Sequence, residues 1–233
     1  MTYKSILCVS DLHIPAHHPQ AFDFLKLLKK TLKPELIING GDELDKHALS
    51  MHDSDPDLPS AGDELKMSLP IIKELEKLFP KMDLMDSNHG SLVYRRAFKH
   101  GIPKAYIRKY NDFLQVNKNW VWHDDLTIDT PLGKVYFCHG KTADVLKLAQ
   151  SMGMSCVQGH YHSLMGVRYY GNSLGLYFGL QVGCMIDSKS LAFRYNKLQK
   201  ARPIIGCSVI HNGLPIIEPF IKDKSGKWIG KLL

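Results

Sequence analysis

Residues 4–42, KSILCVSDLHIPAHHPQAFDFLKLLKKTLKPELIINGGD, are the stretch whose reading decides the fold. Lys4 to Ser10 is a short apolar run ending in the polar Asp11-Leu12-His13, which reads as a buried strand delivering side chains at its C-terminal end. Ala21 to Leu32 then sets Phe22, Leu25, Leu28 and Leu32 at helical spacing, with Pro19 near the start and Pro34 beyond the end. Glu35 to Asn39 is a second apolar run, leading into Gly40-Gly41-Asp42. Strand, helix, strand in that order is a βαβ unit, so a parallel sheet and an α/β fold are expected.

The same grammar continues outward. Asp63 to Phe79 has helical periodicity, with Pro70 expected as a kink or helix start. Lys81 to Met85 is a third strand and ends at Ser87-Asn88-His89. Leu126 to Ile128 and Lys134 to Cys138 flank the turn Thr130-Pro131-Leu132-Gly133, and the second of them ends at His139. After a short helix over Ala143 to Met152, Cys156 to Gln158 is a strand that terminates in Gly159-His160-Tyr161-His162. Val167 to Pro219 is rich in β-branched and aromatic residues and reads as antiparallel strands. A single domain over 1–233 is expected, with polar excursions at 47–61 and 99–125 placed to cover a site.

With 233 residues and 44% hydrophobic content, the chain can bury one substantial core. No run of about 18 apolar residues and no signal-like succession at the N-terminus is present, so a soluble cytoplasmic protein without membrane contact is expected. Five cysteines, odd in number and lacking C-x-x-C spacing, argue for free buried thiols over a disulfide framework or a thiolate zinc site. The formal charge is +7 and is unevenly spread. Tyr94 to Lys109 holds six basic residues and no acid, and Ser188 to Arg202 holds five (Lys189, Arg194, Lys197, Lys200, Arg202) and no acid. Asp42 to Glu64 runs the other way, with eight acids, Asp53 among them, against Lys46 alone. A polyanion is the partner such basic runs suit.

Five strand-like runs each end in ligand-type residues: Asp11 and His13, Asp42, Asn88 and His89, His139, and His160 and His162. In open α/β sheets ligands bind beyond the carboxyl ends of the strands, so these clusters are expected to converge. The donors are carboxylate, amide and imidazole, a set suited to Mn, Fe, Zn or related divalent ions. The two oxygens of Asp42 make it a natural bridge between two ions about 3.5 to 4 Å apart. A single histidine is usually structural, and His17, His18, His47, His52, His100, His123 and His211 fit no position of the ordered set. Arg95 and Arg96 follow closely enough to meet a phosphate, or else form a solvated helix face. Tyr94, Phe98, Tyr106 and Tyr110 interleave with the basic residues; core packing is favoured over base stacking. Tyr161 alternates away from its flanking histidines and lines the pocket or packs beneath it.

Taken in order, D-x-H, G-D-x-x-D, N-H, a lone His and G-H-x-H resemble the signature of the calcineurin-like metallophosphoesterases. Here they are Asp11-Leu12-His13, Gly41-Asp42-Glu43-Leu44-Asp45, Asn88-His89, His139 and Gly159-His160-Tyr161-His162. The resemblance implies a four-layer α/β/β/α sandwich of two mixed sheets, with the metal site at strand C-terminal ends. It implies that Asp11, His13 and His162 bind one metal, that Asn88, His139 and His160 bind the other, and that Asp42 bridges them. His89 would sit over the scissile phosphate, with Asp45 orienting it. Two divalent ions are implied, Mn first, with Fe, Zn, Ni or Mg as alternatives. Ser87 and Gly90 depart from the usual Gly and acidic residue around Asn-His, which leaves metal preference and pH optimum open. The expected activity is phosphoester hydrolysis, first as a phosphodiesterase or nuclease on nucleic acid or a nucleotide-derived substrate. A phosphomonoesterase is the alternative, and an inactive scaffold of the same fold is a second. A protein phosphatase fits less well, because Lys46-His47 stands where that branch extends G-D-x-x-D with Arg-Gly.

Overall fold

The computed structural model of the chain describes residues 1–50, 55–192 and 201–232. His52 and Asp53 of the acidic stretch, and Arg194, Lys197 and Lys200 of the second basic run, lie outside the described residues. The βαβ unit forms as its pattern dictates: β1 (Ser5–Val9), α1 (Ala21–Leu32) and β2 (Leu36–Asn39), with β1 and β2 parallel. Alternation along β1 sends Leu7 and Val9 to one face and Ile6 and Cys8 to the other. The first face packs against Phe24, Leu25 and Leu28 of α1 and Ile72 and Leu75 of α2 (Ala61–Leu78). The second meets Val135, Phe137, Val157 and Leu180 from another sheet.

Two mixed sheets therefore lie face to face between helices. The first has the order β11-β10-β1-β2-β3-β4, with β3 (Met82–Met85), β4 (Trp120–His123), β10 (Gly206–His211) and β11 (Leu214–Pro219). The second has the order β5-β6-β7-β9-β8, built from β5 (Leu126–Thr130), β6 (Gly133–Cys138), β7 (Ser155–Gln158), β8 (Gly166–Asn172) and β9 (Gly175–Gln181). Its outer face is covered by Val145 and Ala149 of α5 (Val145–Met152), which completes an α/β/β/α sandwich. Among the described residues no helix is long and apolar enough to cross a membrane.

Two expectations are refined. Pro70 lies inside α2 and does not start it; the start belongs to Ser60, whose hydroxyl accepts from the Asp63 backbone N–H at 3.2 Å. The stretch 99–125 is more than a cover: it contains α4 (Tyr110–Leu114) and the sheet strand β4. Trp120 of β4 is fully buried and donates from Nε1 to the Phe79 carbonyl at 2.8 Å, so that part of the stretch is framework. All five cysteines are free and buried.

Candidate metal centre

Because β1, β2 and β3 are parallel in one sheet and β6 and β7 are parallel in the other, their carboxyl ends open onto one crevice. Asp11, His13, Asp42 and His162 each bring a donor atom within 4.8 Å of one another, as do Asp42, His139 and His160. Asp42 belongs to both groups. Its Oδ2 lies 3.5 Å from His13 Nε2 and 3.3 Å from His139 Nε2, while its Oδ1 accepts from the His89 backbone N–H at 3.1 Å.

The first group is held tightly. Asp11 Oδ2 accepts from Ser10 Oγ at 2.5 Å and from the His160 N–H at 2.8 Å, which leaves Oδ1 facing His162 Nε2 at 3.1 Å. His13 Nδ1 donates to Asp45 Oδ1 at 2.8 Å, turning Nε2 toward Asp11, Asp42 and His162 Nε2, the last at 3.2 Å. In the second group His139 Nδ1 donates to the Gly40 carbonyl at 2.7 Å, and its Nε2 faces Asn88 Oδ1 at 2.6 Å and His160 Nδ1 at 3.1 Å. Oxygen and imidazole acceptors aimed at one another at such distances are what a divalent cation reconciles, so the residues fit a metal ion.

Charge follows from the crowding. Burial by itself would lower the His13 imidazole, but hydrogen bonds to Asp11 and Asp45 and the charge of Asp42 push it up to about 10. Burial also opposes charge on His139, which the Asp42 carboxylate pushes up to about 9. Against their own burial, Asp11 and Asp42 are held well below the usual carboxylate range by these histidines.

Local backbone serves the same end. Asp11, His13, Asp42 and His160 all take positive φ, 53°, 48°, 54° and 69°, a left-handed conformation uncommon outside glycine. Two motif glycines let the walls approach. A Cβ on Gly159 would collide with Ser10 and the Asp11 carboxylate, and one on Gly41, at φ 103°, would lie 2.7 Å from Ser87 Cβ and 2.9 Å from His139 Nδ1.

Asp45 holds His89 through its backbone carbonyl, while its carboxylate is used on another imidazole. Its carboxylate grips His13 and lies 3.9 Å from His89 Nδ1, which bonds instead to the Asp45 backbone carbonyl. The reason is reach: the αL turn at Asp42 returns the chain toward β1, and Asp45 meets the nearer imidazole. Behind Asp45, His47 Nδ1 lies 3.4 Å from Asp45 Oδ2 and 2.8 Å from Glu64 Oε2, so buried His47 and Glu64 brace the carboxylate. His47 thus serves the site although it fits no position of the ordered motif set. Arg96 is also corrected: its guanidinium holds the Leu49 and Ser50 carbonyls and is not directed at a phosphate. Arg95 is exposed, and the Tyr161 ring stands edge-on to His160 at 4.7 Å.

Ser10 and Ser87 are site residues that the motifs do not single out as contributors. Ser87 Oγ accepts from the Asp42 N–H at 3.1 Å and the Gly90 N–H at 2.8 Å, fixing the loop that carries Asn88 and His89. A small hydroxyl residue beside a ligand is the only signal in the sequence. Next to the second group a cavity of about 430 Å³ is walled by Asp86, Ser91, Asp124 and Lys141 as well as by Asn88 and His160.

The class of structure is thus an α/β/β/α sandwich with acidic and imidazole donors, able to hold a metal ion, at the shared strand ends. No protein-family model and no curated protein matches the chain. Among solved structures it is similar to vacuolar protein sorting 29 from Cryptosporidium parvum, with TM-score 0.51, 13% identity, and coverage of 100% of this chain and 96% of that one. It is also similar to YfcE, a phosphoesterase from E. coli, with TM-score 0.50, 12% identity, and coverage of 98% of both chains. The chain has the calcineurin-like metallophosphoesterase fold.

Proposed function

We propose that the protein is a dinuclear metal-dependent phosphoester hydrolase, acting first on phosphodiesters of nucleic acid or nucleotide-derived substrates. The observation that carries this reading is Asp42 Oδ2, set 3.5 Å and 3.3 Å from the facing nitrogens of His13 and His139. Asp11, His13 and His162 would hold one ion and Asn88, His139 and His160 the other, with Asp42 between them. When bound, two such ions lower the pKa of water and neutralise charge on the phosphoryl oxygens. The chain's part is to hold these donors rigid, through Asp45, Gly40 and Ser10, and to place His89 beside them. Burial and the neighbouring His13 lower the His89 imidazole. With Nδ1 committed to the Asp45 carbonyl, Nε2 is the atom that exchanges a proton during the reaction. Lys141 on the cavity wall supplies a further cation for the phosphate.

Turnover of a bis-aryl phosphate and of an aryl monophosphate, compared with added Mn²⁺, tests the reading. Preference for the diester is expected, and preference for the monoester replaces it with a phosphomonoesterase. The likeness to a vacuolar sorting protein favours one further reading, a scaffold without turnover. That reading requires a protein that hydrolyses neither ester with any divalent ion.

A further inference from the structure

Beyond His89 the chain presents a face that the metal centre does not use. α3 (Leu92–Lys99) begins beside the cavity, one of whose walls is Ser91. At about 100° per residue, Ser91, Tyr94, Arg95 and Phe98 fall on one stripe about 100° wide, running outward from that cavity. Arg96 lies on the opposite side, where it binds the Leu49 and Ser50 carbonyls and anchors the helix. The stripe is therefore turned to solvent.

Its composition is unusual for a solvated face. Tyr94 is 38% exposed, Phe98 69% and Tyr106 82%. Only Tyr110 of the four interleaved aromatics packs against the core, contrary to the expectation from the sequence. Tyr94 and Phe98 have ring centroids 6.0 Å apart, and Lys104 Nζ lies 5.5 Å from the Tyr94 centroid. Arg95, Lys99, Lys104, Arg108 and Lys109 are all exposed, and no carboxylate side chain occurs from 94 to 109. Exposed rings interleaved with cations that form no ion pair among the described residues are the chemistry of single-stranded nucleic acid binding: each base offers a face to stack on, and the cations follow the phosphates. A duplex hides its base faces and would use only the charge.

We propose that the exposed face of α3 and the following segment to Lys109 is a docking surface for single-stranded nucleic acid leading to the metal centre. It rests on the hydrolase reading for its substrate but not for its measurement. Fluorescence anisotropy with the Mn²⁺-loaded full chain and a phosphorothioate oligothymidylate about 15 nucleotides long, whose linkages resist cleavage, reads binding without turnover. Bis-aryl phosphate turnover reports on the hydrolase reading separately. The single strand is expected to bind more tightly than a phosphorothioate duplex of equal length. Phe98→Ala and Tyr106→Ala are each expected to weaken it about tenfold, with Phe98→Trp restoring affinity. Lys99→Glu with Lys104→Glu is expected to flatten the dependence of log K on log salt by about 0.7 for each phosphate no longer neutralised, and Lys30→Glu on α1 is expected to leave it as it was. Circular dichroism verifies that each variant is folded. Equal affinity for duplex, variants that bind like the parent, or no binding at all overturns the proposal. So does concentration-dependent self-association that disappears in the same variants, which would assign the face to a second copy of the chain.

Discussion

Asp42 divides its two oxygens between tasks: Oδ1 fixes the His89 backbone and Oδ2 stands between the two donor groups. Asp42→Asn keeps the shape and removes the charge, so metal content by plasma emission should fall and phosphodiester turnover should drop at least about 100-fold. Asp45 acts one step back, by holding the His13 tautomer. Asp45→Asn is expected to weaken metal affinity about 10- to 100-fold, read by calorimetric titration of Mn²⁺, while leaving the fold intact. The brace behind it responds to pH. Asp45, against burial, and Glu64 raise His47 above its ordinary value, while burial raises Glu64. A raised histidine stabilises fully below about pH 6.5, and that contribution fades as pH rises through the folded value. The melting temperature should therefore fall from pH 6 toward alkaline pH, and less so in His47→Gln. The donor residues that meet at the crevice were legible because each follows a strand-like run. The assignment of Asp45 to His13 was not, since both imidazoles lie within reach and only backbone direction chooses.

At the scale of elements, the start of α2 is set by a chemical signal that helical period alone does not give. Ser60 and Asp63 cap α2 reciprocally, Ser60 Oγ also donating to the Asp63 carboxylate at 2.7 Å. Ser60→Ala should cost about 1 kcal/mol in urea denaturation. β4 is not legible in the sequence because it is an edge strand, with Val121 exposed, set inside a polar stretch that gives it no long apolar run of its own. Its identity comes from pairing, Met82 with Trp120 and Met85 with His123. Trp120→Ala should lower stability by about 3–5 kcal/mol in the same measurement, far more than removal of a covering loop would, because Trp120 packs in the core against the helix layer.

For the whole molecule, the crevice gathers mutually repelling carboxylates that only the folded chain brings together, so divalent ions should bind the native state alone. At a hundredfold excess over Kd such binding adds about 2.7 kcal/mol, or about 5–10 °C in melting temperature for a chain of this size. Melting in Mn²⁺ against EDTA checks this, and an unchanged midpoint would contradict a metal centre. By itself the sequence determined the βαβ opening and which residues carry donor atoms, because strand period and ligand chemistry are local properties; the sandwich was only implied by the resemblance of the ordered motifs. The sheet orders, the joining of His13 to His162 across 149 positions, the withdrawal of Arg96 and the exposure of Phe98 and Tyr106 were decided by tertiary structure. Burial and partner choice depend on which distant surfaces meet, and no local pattern in the chain encodes that.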